Sequence, residues 1–459
     1  MPQTPVRTRF APSPTGLIHL GNVRTILLNW LYAKQEGGQF LLRFEDTDRD
    51  RSTNDFIEAC KQDMQWLGLP WDGEVSFQSQ HQAQHQQALE TLHEKGLAYR
   101  CFCTEQQLNL DRKLNHARGL PSRYNGRCRN LRSEESEQRA ESEAHVWRIA
   151  SHQKEGEIIV KDTLRGDIQF SQRDLDDPIV LRTDGNFTFL LPNAIDDALQ
   201  QISHVVRGDD HLSNSAYQVW ILEKLDYQPP HYLHHGLLLG KDGSKLSKRT
   251  GSHSIRDLRE NNISAQALVQ SMLRLGHPNM PEEMLNTEAM CAAFQPEKLS
   301  CSAVRWQEDE LSRWQKLIIH DMDTHALSEI IHASLPNIDA KTCLNFTQLI
   351  QGNLSRVDES QHYLRLLDSK HPIETEAKAI LQETGVVFFQ SALTLWQGQD
   401  WKTWQQAVRA ETGNKGKTLF MPLRIALSGL KHGPQMNEMV EFLGQDGVRQ
   451  RLEDTIQCL

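Results

Sequence analysis

The sequence predicts an α/β protein built on a parallel sheet, interrupted by an irregular insertion and completed by a helical C-terminal third. Three patterns support this. The opening alternates strand, helix, strand, helix; residues 100–190 lose that alternation; and beyond about residue 300 the apolar period is helical. In order, Val6 to Phe10 reads as a short extended segment, the proline-rich APSPTG that follows as a tight loop, and Leu20 to Gln35 as a helix. Phe40, Leu41, Leu42 and Phe44 read as a second, buried strand, and Ile57 to Leu67 as a second helix. Cys and Gly then punctuate short strands such as Glu157 to Val160, before strand and helix alternate again from Ser203 to Leu239. Late in the chain, Leu311, Trp314, Leu317 and Ile318, and then Met436, Met439, Val440 and Leu443, follow helical spacing. There is no internal repeat of fixed period.

Composition excludes several classes. The 459 residues carry 60 acidic and 50 basic side chains, a formal charge of −10, with 38% hydrophobic and 7% aromatic residues. An ordinary globular chain of about three domains fits these values; disorder, collagen and coiled coil do not. No apolar run approaches the ~20 residues of a membrane span, and MPQTPVRTRF lacks a secretory h-region, so a soluble cytoplasmic protein is expected. The acidic balance argues against a histone-like binder, yet Arg112 to Arg132 holds seven basic residues and no acidic one. That stretch reads either as a solvated, charge-patterned surface or as a patch for a polyanion. Eight cysteines, Cys60, Cys101, Cys103, Cys128, Cys291, Cys301, Cys343 and Cys458, are too sparse for a disulfide framework and point to thiols or a metal site.

Two motifs carry chemistry. Pro12-Ser13-Pro14-Thr15-Gly16-Leu17-Ile18-His19-Leu20-Gly21-Asn22 lies between a strand and a helix. Prolines and Gly16 tighten the loop, and Gly21 removes a side chain where a ligand would approach backbone N–H groups at a helix start, an anion site. A histidine there can donate to a phosphate as its charge develops. The second motif, Gly240-Lys241-Asp242-Gly243-Ser244-Lys245-Leu246-Ser247-Lys248-Arg249-Thr250-Gly251, combines glycines with cations suited to a polyphosphate. Alone, each reads as an ordinary loop. A Walker A loop is excluded by spacing, and no GxGxxG, GxSxG or HExxH motif is present.

Together these motifs resemble the HIGH and KMSKS signatures of class I aminoacyl-tRNA synthetases, here HLGN and KLSKR. Within that class TRFAPSPTGLIHLGN, RFEDTDRDR at 43–51, WLGLPWD at 66–72, NAIDD at 193–197, HVVRGDDHLSN at 204–214 and GKTLFMPLRIALSG at 416–429 are similar to bacterial-type glutamyl-tRNA synthetases, over essentially the whole chain. Three positions depart from that family. Asn22 replaces the last His of the signature, a common variant; Phe189 stands where a tyrosine usually contacts the amino acid; and Asn130 stands where a zinc-binding His is often found.

The resemblance implies a Rossmann catalytic domain in two halves, 1–100 and 191–252, split by an acceptor-stem-binding insertion at 101–190. A stem-contact region at 253–325 and a helical anticodon-binding domain at 326–459 would follow. It implies ATP-dependent activation of glutamate and its transfer to tRNA(Glu), and leaves open tRNA(Gln) as a second acceptor. ATP would come with Mg²⁺, and the enzyme is expected to act as a monomer. His19, Lys245 and Lys248 would be catalytic, with Pro12, Ser13, Gly21 and Asn22 completing the ATP site. Arg9 would read the side-chain carboxylate of glutamate, Glu45 its ammonium, and Ala11, Ser13, Phe189, Asn193 and Arg207 the rest. Cys101, Cys103 and Cys128, with Tyr124 as fourth ligand, form a candidate zinc site, the alternative being a zinc-free remnant. A small-molecule nucleotidyltransferase would not need about 200 residues after Lys248, and a non-catalytic tRNA-binding module should have lost His19 or Lys248. The shortened glutamyl-queuosine tRNA enzymes lack the C-terminal domain present here, and glutaminyl-tRNA synthetases end in β-barrels.

Overall fold

The computed structural model describes residues 5–47, 52–244, 254–335, 337–368, 373 and 375–459. It divides into two compact units, Met1–Glu260 with Leu268–Gln307, and Asn261–Ala267 with Glu308–Leu459. The first unit opens β1 (Arg7–Phe10), α1 (Leu20–Gln35), β2 (Gln39–Phe44), α2 (Asn54–Trp66), β3 (Ser76–Phe77), α3 (Gln82–Glu94) and β4 (Ala98–Cys101). It continues α4 (Glu105–Ala117), α5 (Ser133–Ala140), β5 (Val146–Ile149), β6 (Glu157–Asp162), β7 (Gly166–Ser171) and β8 (Ile179–Leu181). Then come α6 (Leu190–Leu199), β9 (His204–Gly208), α7 (Leu212–Lys224), β10 (His231–His235) and β11 (Leu238–Leu239).

β1, β2 and β3 pair in parallel, as do β9 and β10. The Ser203 N–H, one residue before β9, donates to the Arg7 carbonyl at 3.0 Å, so β9 runs beside β1. The resulting spatial order is β3, β2, β1, β9, β10, with the reversal between β1 and β9 where open α/β sheets bind ligands. Buried Phe40, Leu42 and Phe44 on β2 and Val23, Ile26, Leu27 and Leu31 on α1 form the sheet-to-helix core expected from their spacing. A protein with both faces of a parallel sheet covered by helices reads as near-continuous apolar strands, as β2 does.

The insertion does not stand apart from this sheet. β4, β5 and β8 form a separate antiparallel sheet, but β6 pairs in parallel with β10 at Tyr232 and Asp162, and β7 pairs antiparallel with β6 outside it. Alternate burial along β6, with Ile158, Val160 and Asp162 inside, shows why it docks there: one face is apolar enough to join a core. Between β10 and β11, Gly236 lies so close to the Ser302 carbonyl that an added Cβ would sit 1.9 Å from its oxygen, so no other residue fits that crossing.

α8 (Ile255–Glu260), α9 (Ala265–Arg274), α10 (Thr287–Ala293) and β12 (Val304–Arg305) follow, β12 pairing with β11. The second unit is helical: α11 (Glu308–Asp321), α12 (Thr324–Ser334), α13 (Ala340–Ile350), α14 (Thr375–Thr384), α15 (Val386–Thr394), α16 (Trp401–Thr412), α17 (Lys417–Ser428) and α18 (Met436–Cys458), the last kinked at Gly444. Phe346, Phe389, Trp404, Leu423, Met439 and Leu452 centre its core. On α11 the expected stripe needs one correction: Leu311, Trp314 and Ile318 are buried, but Leu317 is exposed. At 3.6 residues per turn it lies about 130° from the centre of the buried face, which Gln315 and Ile319 share instead. No helix among the described residues is long and apolar enough to cross a membrane.

Candidate functional site

At the β1/β9 reversal lies a cavity of about 510 Å³. Arg9, Phe10, Ala11, Pro12 and Ser13 from β1 and its loop, and His19, Gly21 and Asn22 at the start of α1, are among its lining residues, as are Glu45, which follows β2, and Phe189, Asn193 and Arg207. Every expected ATP- or glutamate-contacting residue within the described part of the chain thus borders one space. Lys245 and Lys248 lie outside the described residues, as does the end of the RFEDTDRDR segment.

His19 is the N-cap of α1. Its Nδ1 accepts the Gly21 N–H at 3.1 Å, while the Asn22 Oδ1 accepts the His19 N–H at 3.2 Å, a reciprocal capping box. An amide N–H can only donate, so a neutral His19 carries its proton on Nε2, the nitrogen left for a ligand. Burial lowers its pKa and keeps the ring neutral at pH 7. The cap explains two residues of HLGN. Asn22 has the short acceptor the box requires, and at Gly21 a Cβ would stand 3.0 Å from the His19 ring. The expected reason for Gly21, room for a ligand at free backbone N–H groups, needs amending: the Gly21 N–H is already bonded to His19.

The polar residues beside the cavity form one continuous buried chain. Arg207 Nη2 donates to Ser215 Oγ at 2.6 Å and Gln218 Oε1 at 2.7 Å; Gln218 Nε2 donates to Asn193 Oδ1 at 2.6 Å; and Asn193 Nδ2 donates to Glu45 Oε1. Arg43 joins Glu45 at 3.5 Å to Asp197 at 2.8 Å, and Arg9 closes the chain with a two-pronged pair to Asp197 at 2.9 and 3.1 Å. Burial alone would raise the Asp197 pKa, but Arg9 and Arg43 overcome it and hold the carboxylate below its ordinary value. Glu45 goes the other way: burial raises it despite Arg43 and Asn193, so an incoming cation would find an anion that gains from being paired. Arg207, fully buried, has its pKa pulled down to about 10 by that burial, and its Nη1 has no partner. A further link, Arg207 to Ser215 to His234 to Asp162, ties this arginine to the end of β6: Ser215 Oγ lies 2.8 Å from His234 Nε2, and His234 Nδ1 lies 2.7 Å from Asp162.

Arg24, Thr25, His235, Asp210, His211, Leu237 and Leu238 also line the cavity and were not among the expected residues. Nothing local in the sequence marks Arg24 or Thr25; only their position just after HLGN could have flagged them.

The cysteines form a second cluster, between β4 and the loop before α5. The Sγ atoms of Cys101, Cys103 and Cys128 lie within 4.8 Å of one another, with Cys103 and Cys128 3.7 Å apart. Tyr124 Oη sits 3.4 Å from Cys101 Sγ and 3.6 Å from Cys103 Sγ, whereas Asn130 is exposed. Tetrahedral zinc with Zn–S bonds of about 2.3 Å separates its ligands by about 3.8 Å, so spacing and chemistry fit that ion. Arg148, 4.1 Å over the Tyr124 ring, places a cation beside the cluster.

Comparison with known proteins agrees with this geometry. Residues 5–313 match the family described as tRNA synthetases class I (E and Q), catalytic domain, and residues 348–456 match an anticodon binding domain. Glutamate–tRNA ligase 2 of Alkalilimnicola ehrlichii is 37% identical over 99% of this chain and 98% of its own, and glutamate–tRNA ligase 2 of Erythrobacter litoralis is 38% identical over 97% and 98%. A crystal structure of a glutamate tRNA ligase from Elizabethkingia meningosepticum, in complex with its amino acid, superposes with a TM-score of 0.87 at 25% identity, covering 99% of this chain and all of that one. With both domains matched, relatives aligned nearly end to end and the same fold in a solved structure, the chain belongs to the glutamate–tRNA ligase family of class I aminoacyl-tRNA synthetases.

Proposed function

We propose that this enzyme activates L-glutamate with ATP and Mg²⁺ and transfers the glutamyl group to the 3′ end of tRNA(Glu), acting as a cytoplasmic monomer. The observation that carries the reading is the buried chain from Arg207 to Arg9 beside one cavity, which sets the cations Arg9 and Arg207 and the carboxylate of Glu45 around a space suited to two carboxylates and an ammonium. Arg207 offers its unpaired Nη1 and Arg9 its side-chain edge to carboxylates; Glu45, raised in pKa, receives the ammonium. Ala11, Ser13, Asn193 and Phe189 shape the rest of the amino-acid pocket. Pro12, Ser13, His19, Gly21 and Asn22 meet the nucleotide, with His19 donating from Nε2 to its phosphates and Lys245 and Lys248 joining from the second motif. The glutamate α-carboxylate forms a bond to the ATP α-phosphorus as pyrophosphate leaves, and the terminal adenosine hydroxyl of tRNA then takes the glutamyl group. Positioning and charge supply the catalysis.

The polyanion partner fits the stretch Arg112 to Arg132. Arg123, Arg127 and Arg129 pair with Asp174, Asp111 and Asp177, but Arg112, Lys113, Arg118 and Arg132 have no carboxylate partner among the described residues. Affinity for tRNA should therefore fall with salt. The test of the reading is aminoacylation of purified tRNA(Glu) and tRNA(Gln) with labelled glutamate. Charging of tRNA(Glu) is expected, failure to charge it removes the reading, and the tRNA(Gln) arm decides whether a second acceptor is used.

We also propose one zinc per chain, held by Cys101, Cys103, Cys128 and Tyr124. Bound there, the ion would supply a structural cross-link between β4 and the loop before α5. Elemental analysis should find about one zinc in the wild type and none in Cys103→Ser, with a lower melting temperature in the variant. Equal metal content in the two would exclude the site.

A further inference from the structure

Arg24 has no part in the mechanism above, and its surroundings call for one. It sits in the first turns of α1, 1% exposed, and lines the cavity. Its Nη2 donates to the Leu275 carbonyl at 3.3 Å; Nε and Nη1 have no hydrogen-bond partner, and no carboxylate pairs with it among the described residues. Burial draws its pKa down to about 10, with Asp209 opposing from a distance. Nearby buried guanidiniums are treated differently. Arg9 and Arg43 are held by Asp197, and Arg207 by Ser215 and Gln218. A desolvated, unpaired cation is costly, and folds that keep one generally keep it for an anion that arrives.

The neighbourhood selects that anion. Arg24 stands among Gly21, Thr25, Gly208, His235, Leu237 and Leu238. His235 is fully buried, held neutral by that burial at a pKa of about 3, and within 3.2 Å of Thr25 Oγ1, so it brings no competing charge. Glycine and leucine surfaces offer flat apolar walls to a nucleobase and nothing ionic to a second amino acid, while Arg9, Arg207 and Glu45 already form the set a dicarboxylate needs. Resting on the reading of this cavity as the ATP and glutamate site, we propose that Arg24 is a further phosphate-binding residue, whose free Nε and Nη1 edge donates to the polyphosphate of ATP. As the glutamate carboxylate oxygen bonds to the α-phosphorus, the bond from that phosphorus to the bridging oxygen breaks and its electron pair leaves on pyrophosphate. No proton needs to move. Arg24 then faces the group on which charge accumulates, and its two donors match a phosphate better than a point charge would.

The test titrates wild type, Arg24→Gln and Arg24→Lys with Mg-ATP, inorganic pyrophosphate and adenosine, and records the melting temperature of each free protein. Arg24→Gln is expected to weaken ATP and pyrophosphate by about 10- to 100-fold while adenosine changes less than about twofold. Its melting temperature should be unchanged or higher, because an uncompensated buried charge is gone. Arg24→Lys should fall between. Unchanged ATP affinity in folded Arg24→Gln, or equal losses for ATP and adenosine, would overturn the proposal and leave Arg24 as a brace for the Leu275 carbonyl. Should the glutamine variant fail to fold, wild-type ATP affinity in Arg24→Lys would overturn it equally. Wild-type protein that does not bind Mg-ATP overturns the reading of the cavity itself, a separate result.

Discussion

Arg9→Gln is expected to lower kcat/KM for glutamate by about 30-fold to several thousand-fold, the range of roughly 2 to 5 kcal/mol that follows removal of one partner from a desolvated charge pair. A neutral amide leaves the substrate carboxylate without its cation, and it also loosens Asp197, which Arg9 holds through two hydrogen bonds. The variant should therefore lose stability too, by less than the roughly 3 to 5 kcal/mol of a broken buried pair, because Arg43 still binds Asp197. The pH dependence separates the two effects. Asp197 has a folded-state pKa held below its ordinary 3.8, so its contribution is present above that value and disappears as pH falls through the lower one. Denaturation at pH 7 should show the stability gap between wild type and Arg9→Gln, and the gap should narrow below about pH 4. Phe189→Tyr, made alongside, should change kcat/KM little or raise it. A loss under about threefold in Arg9→Gln would assign the carboxylate to Arg207, whose Nη1 is unpaired.

His19→Ala should cut tRNA-supported, glutamate-dependent pyrophosphate exchange by about 10² to 10³, the usual cost of one preorganised transition-state donor. The ring is fixed by its own helix: with Nδ1 accepting from Gly21, only Nε2 can donate. Alanine also deletes the N-cap, at about 1 kcal/mol of stability. His19→Asn isolates the chemistry, since asparagine caps well but does not reach as far. Equal losses of exchange in both variants, with stability restored in the second, are expected; wild-type exchange in either would remove His19 from the mechanism.

The legible part of the sequence was where spacing and chemistry coincide. Leu20 to Gln35 reads as a helix because its apolar residues recur at helical intervals, and the same residues are buried against the sheet. His19, Gly21 and Asn22 stand together in the chain, so their shared site was visible as a motif. Asp197 and Arg43 lay inside recognised segments but were given no role, because their partners are distant in sequence: Arg9 meets Asp197 across 188 residues. β6 was legible as a short strand, from its β-branched run and the glycines that flank it, but not as a partner of β10, since one short contact at Tyr232 and Asp162 leaves no trace in either segment. Arg24 was given no role from sequence. Its burial comes from Leu275 and Gly276, more than 250 positions away.

The neighbour of β1 is supplied late, and this sets the timing of synthesis. Arg7 bonds to Ser203, 196 positions on, so the first strand leaves the ribosome with one edge unmatched until β9 follows. At roughly 5 to 20 residues per second, that interval is about 10 to 40 s, far longer than a helix or hairpin needs to form. During it α1 can form, but Arg9 has no Asp197 to hold it, and Phe10 and the face of β2 have only part of their cover. The nascent amino-terminal half is thus an aggregation-exposed intermediate by topology, and the segments that close the cavity, from Phe189 to Leu238, are made long after the strand that opens it.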